Sequence, residues 1–109
     1  MGTFYVKEDD TEPVLEATLQ NPDGSGVDLS GAGVDIRITE ARGGSNVVNA
    51  DASIQDAANG VVRYTLQSSD TENDGRYRVE FEVEYSSGKI ETYPNKGYHT
   101  LMVGRNMEV

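Results

Sequence analysis

The sequence has no cysteine and no tryptophan, one histidine, and only three lysines among its 109 residues. Without cysteine there can be neither a disulfide framework nor a thiolate metal site. No apolar run approaches the roughly 20 residues that cross a bilayer as a helix. The start, MGTFYVKEDD, lacks the basic-then-apolar layout of a signal peptide. Gly2 does not open a myristoylation motif, because Val6 stands where Ser or Thr is needed. The scarcity of lysine belongs to a wider imbalance: nineteen acidic residues face nine basic ones, a formal net charge of −10. Such a surface repels phosphate, which argues against a nucleic-acid partner and against an anionic membrane. Two readings of the acid excess remain. It can serve solubility, or it can be an adaptation to high salt, where screening cancels the self-repulsion.

What the sequence does have is alternation. In residues 73–91, NDGRYRVEFEVEYSSGKIE, Tyr77, Val79, Phe81, Val83 and Tyr85 fall on one side. Arg78, Glu80, Glu82 and Glu84 fall on the other, the period of a strand with one buried face. Leu15, Ala17 and Leu19 repeat the pattern in residues 14–20, as do Val34, Ile36 and Ile38 in 34–40 and Val62, Tyr64 and Leu66 in 61–67. Residues 47–56 read as one irregular or edge strand anchored by Val48, Ala52 and Ile54. NPDGSG at 21–26, NG at 59–60 and SSG at 86–88 are turns. No window sustains a helical period. The expectation is a single all-β domain over 1–109, an antiparallel immunoglobulin-like β-sandwich of about seven to eight strands. Gly75 followed by Tyr77 matches the corner before strand F of such sandwiches, where a buried tyrosine hydroxyl bonds back to the upstream backbone.

Catalytic sets are hard to find. His99 is a lone strand histidine, and no nucleophile elbow or phosphate loop accompanies it. The Glu80, Glu82 and Glu84 row sits on an open sheet face, which cannot provide the water-poor pocket that raises a general acid's pKa. NPDGSGVD at 21–28 resembles the first half of a calcium loop, but Ala32 replaces the bidentate glutamate at its twelfth position. A weak cation site among Asp9, Asp10, Asp23 and Asp28 is the remaining metal candidate. The chain is expected to be no enzyme and to carry no cofactor.

The order of turns and strands resembles the N-terminal domain of baseplate upper proteins of tailed phages. The matching segments are Val27 to Ala32, Gly60 to Tyr64, Gly75 to Tyr77 and Pro94 to Tyr98, within residues 12–103. The resemblance implies a virion structural domain that docks onto neighbouring baseplate, tail or capsid subunits, with other virion proteins as partners and several copies in the particle. Because the sequence stops at Val109, a capsid decoration role belongs to the same expectation. The acid-rich surface suggests a tailed virus of a halophilic archaeon. The alternative, from another class, is a cell-surface immunoglobulin-like adhesion or carbohydrate-binding module. For docking, the apolar residues near the chain ends are the expected contacts: Phe4, Tyr5, Leu101, Met102, Met107 and Val109.

Overall fold

The computed structural model describes residues 3–7, 14–41, 46–67, 70, 74–94 and 99–104, with Lys7, Asn46 and Val47 described by backbone alone. Nine strands occur among them: β1 (Thr3–Lys7), β2 (Val14–Thr18), β3 (Gly33–Glu40), β4 (Asn46–Asp51), β5 (Ser53–Asp56), β6 (Val61–Thr65), β7 (Gly75–Glu84), β8 (Ile90–Tyr93) and β9 (His99–Gly104). The larger sheet is ordered β1-β9-β7-β3-β4, with β8 also paired to β7, and the smaller is β2-β6-β5. This is the expected immunoglobulin-like sandwich. One pairing departs from an antiparallel scheme, since β1 runs parallel to β9.

β7 is the axis of the larger sheet. β3 pairs with it antiparallel from Gly33↔Glu84 to Glu40↔Tyr77. The other edge of β7 is shared: β8 pairs with Phe81 to Glu84 and β9 with Gly75 to Val79. Strict alternation therefore resolves into two faces. Tyr77, Val79, Phe81 and Val83 are buried, together with Val34, Ile36 and Ile38 of β3 and Leu101 and Val103 of β9. Leu15, Ala17 and Val62 close the core from the smaller sheet.

The strand count exceeds the expected seven to eight because residues 46–56 form two strands. β4 pairs with β3, and β5 pairs with β6 in the opposite sheet. Ala52 lies between them and donates its N–H to the Val34 carbonyl at 2.9 Å. The even-numbered residues Val48, Ala50, Ala52 and Ile54 all pack in or against the core, because the chain changes sheets while facing the same interior. An alternation that never breaks reads as one strand.

Loop residues complete the interior. Leu19, Val27 and Leu29 are buried although they flank the polar turn at 21–26. The Ala57–Asn59 3-10 turn ends at Gly60, which takes φ 75°. A Cβ there would stand 2.6 Å from the Leu19 carbonyl oxygen, so both conformation and close approach call for glycine. The Gly60 carbonyl in turn accepts the Leu19 N–H at 2.8 Å.

Candidate docking face

The outward residues of β7 and its neighbours make up a face whose two ends differ in chemistry. Pairing registers place Arg76 beside Met102 and Met102 beside Tyr5. The next row joins Thr3, Thr100, Arg78 and Thr39 across four strands. Further down come Glu80 with Arg37, then Thr92, Glu82, Asp35 and Asp51, and finally Ile90 with Glu84. One end is thus cationic and apolar, and the other holds the carboxylates with a single arginine. Arg37 bridges Glu82 at 3.0 Å, and Arg78 donates to the Ala41 carbonyl at 2.5 Å. Tyr5 is 78% exposed and Ile90 is 60% exposed.

This arrangement sorts the expected contact residues. Tyr5 and Met102 point outward, side by side. Leu101 is wholly buried, and Phe4 packs against the core beside His99. Leu101 is therefore an interior residue, corrected from a contact candidate by the register that turns its side chain inward, and Phe4 is partly buried on the same side of the sheet. Met107 and Val109 lie outside the described residues.

Asp35 sits between Asp51 and Glu82 on adjacent strands. Burial pushes its carboxyl above the ordinary range, assisted by hydrogen bonding and repulsion from Asp51 and by Glu82, with Arg37 opposing. A carboxyl raised in the fold gives stability that is fully present below the unfolded value and is lost as pH rises through the folded one. Asp51→Asn should relieve this repulsion. It is expected to gain about 0.2–1 kcal/mol at neutral pH, the range for cross-strand pairs, and to gain nothing below about pH 4. Urea midpoints of the two proteins at pH 7 and pH 3.5 check this, and equal midpoints at pH 7 would remove the coupling.

Tyr77 is buried as expected and opens out from Gly75, whose φ of 141° favours glycine. Burial raises its phenol pKa, with Glu40 and Asp74 adding to the effect. Its predicted hydroxyl contact falls on the 68–74 segment, most of which lies outside the described residues. A different tyrosine makes a described bond to that segment. The Tyr64 hydroxyl donates to Asp70 Oδ2 at 2.6 Å, and the Gln67 N–H donates to the same oxygen at 2.8 Å. Asp70 is only 7% exposed. An aspartate in a serine-rich turn gave no sign in the sequence that it would be interior.

His99 is half-buried and packs edge-on against Phe4 and Phe81, with ring centroids 6.0 and 6.4 Å away. Burial lowers its pKa. It borders a cleft of about 210 Å³ with Thr18, Gln20, Asn21, Tyr93 and Pro94. A second cleft, of about 410 Å³, lies at the start of β7 between Glu40, Ala41, Asp74, Gly75, Arg76 and Tyr77, with two carboxylates flanking Arg76. At the far end of β7, Tyr85 and Tyr93 share a 2.7 Å hydroxyl contact, and Tyr93 donates to Glu91 at 2.8 Å.

The acidic turns are committed locally. Asp23 accepts from the N–H and hydroxyl of Ser25, and Asp28 accepts likewise from Ser30. These bonds lower both carboxyl pKa values. Asp9 and Asp10 are outside the described residues, and among those described no group of three or more His, Cys, Asp or Glu could hold a metal ion.

Set against known proteins, residues 2–94 match the family model described as the BppU N-terminal domain. The chain belongs to that family. The BppU N-terminal domain is a phage baseplate upper protein domain, which makes this chain a phage baseplate structural domain located in the virion. No curated protein matches the chain. Among solved structures, this BppU N-terminal domain is similar to CopC from Methylosinus trichosporium OB3b. That likeness has a TM-score of 0.59 and 19% identity, and covers 100% of this chain and 90% of CopC. It shows a shared fold.

Proposed function

We propose that this domain is a non-catalytic docking module that joins neighbouring subunits of the virion through its exposed apolar residues, in several copies per particle. Membership of the BppU N-terminal domain family carries the reading, because it supplies the baseplate context. The outward Tyr5–Met102 pair supports it: both residues lie on the face opposite the core, with Tyr5 exposed and Met102 half-buried, so the apolar area they leave uncovered is available to a neighbour. Tyr5→Ser combined with Met102→Ser is expected to leave the melting temperature nearly unchanged and to reduce incorporation into particles at least about tenfold, as loss of a central apolar anchor does. Complementation of a deletion phage, with the domain quantified in purified virions, checks this. Normal incorporation of the folded double variant would sink the reading.

We also propose that the acid excess is an adaptation to high salt, supported by the net charge of −10 and the three lysines. Thermal stability is then expected to rise steadily from dilute buffer to molar KCl, well past the concentration at which screening of exposed charges is nearly complete. A flat response above about 0.3 M salt, where the Debye length is already short, would leave solubility as the explanation.

A further inference from the structure

The outer face of the larger sheet is complementary to itself when turned end for end. Tyr5 and Ile90 are two of the three large hydrophobic residues exposed among the described residues. They lie at opposite ends of this face but on the same side of β7, because β9 and β8 occupy one edge of that strand in succession. Arg76 and Glu84 mark the same two ends on β7 itself, and both are exposed. A two-fold axis crossing β7 near Glu80 therefore brings each feature onto its complement.

We propose that this face is a contact between two copies of the chain, stacked with their β7 strands antiparallel. Arg76 and the Tyr5–Met102 pair of one copy then cover Glu84 and Ile90 of the other. The inference rests on the docking role proposed above and names its surface and partner. The same stacking sets the Arg78 row over the Glu82 row and Thr100 over Thr92. Glu80 meets its counterpart near the axis, with Arg37 of each copy alongside as its cross-strand neighbour.

Size is consistent with a specific contact. Strand spacing and rise give this face, five strands wide because β8 and β9 share one edge of β7, roughly 600 Å² per copy, or about 1,200 Å² for the pair. That is the lower bound of stable interfaces. Two chains of charge −10 also repel at long range, so the contact needs enough salt to screen that repulsion but not the close pairs.

Sedimentation of the full chain at about 0.15 M salt tests the proposal. The wild type is expected to show a concentration-dependent monomer–dimer equilibrium. Arg76→Glu and Glu84→Arg place like charges together twice per dimer, and each is expected to weaken association at least about tenfold. An equimolar mixture of the two variants restores both pairs and should recover the dimer. Both side chains are exposed, so melting should hardly change. A wild type that stays monomeric to about 1 mM, corresponding to about −4 kcal/mol, overturns the stacked pair. So do single variants that associate like the wild type, or a mixture that fails to recover. A monomeric wild type that still enters particles would overturn the stacked pair and leave the docking role standing. A chain that dimerises but never enters particles would do the reverse.

Discussion

Leu101→Ala is expected to lower the stability of the domain by about 2–5 kcal/mol, the range for emptying a buried leucine site. Its neighbour on β9, Met102→Ala, should cost less than about 1 kcal/mol, as surface changes do. The contrast comes from register. Leu101 pairs with Phe4 and Tyr77 on the inward side and is completely buried. Met102 pairs with Tyr5 and Arg76 on the outward side. Urea denaturation of both variants measures the difference directly. Leu101 sits where β1, β9 and β7 meet, so its loss should also loosen β1, which is tied to the sheet through β9. A Leu101→Ala midpoint equal to the wild type would mean that β9 packs with the opposite face inward. The outward placement of Met102, and the docking surface with it, would then be wrong.

The run LMV at 101–103 shows where the sequence could be read and where it could not. Three consecutive apolar residues do not say which of them faces inward, and a strand near a chain end can present either face. The longer alternations carried that information: Tyr77 to Val83 alternates with charged residues, so only one face can be buried at acceptable cost. The same reasoning identified Leu15, Ala17, Val34, Ile36 and Ile38 as core. It failed at residues 47–56, where one unbroken alternation serves two sheets. The outer face was legible as a glutamate row. Its division into a cationic, apolar end and an anionic end was not, because Tyr5, Arg76 and Met102 are far apart in sequence and meet only through the parallel β1–β9 pairing. The family was legible in the turn residues, since glycines and tyrosines at fixed offsets specify conformations that few other residues adopt.

Asp70→Ala should be the other severe substitution, costing about 3–6 kcal/mol if each of its two charge-assisted bonds is worth about 1.5–3. Asp70 is buried and its Oδ2 accepts two bonds, from the Tyr64 hydroxyl and the Gln67 amide. Burial pushes the Tyr64 phenol well above its ordinary pKa, with Asp70 adding to the shift, so Tyr64 remains a donor over the whole working pH range. Alanine would remove the acceptor and leave the part-buried Tyr64 hydroxyl and the Gln67 amide without that partner. Against the total of about 5–15 kcal/mol for an ordinary domain, such a loss approaches global unfolding. Asp70→Asn can set its amide oxygen where Oδ2 stands and keep both bonds without the charge, and should cost about half as much, because neutral bonds are worth about 0.5–1.5 kcal/mol each. Tyr64→Phe removes a single bond and should cost about 1.5–3 kcal/mol. In the Asp70→Ala background, Tyr64→Phe should cost much less, because the hydroxyl it deletes is already unsatisfied. If Asp70→Ala were within about 1 kcal/mol of the wild type, as an exposed substitution would be, the bonds that Asp70 accepts from Tyr64 and Gln67 could not be contributing to the stability of the fold.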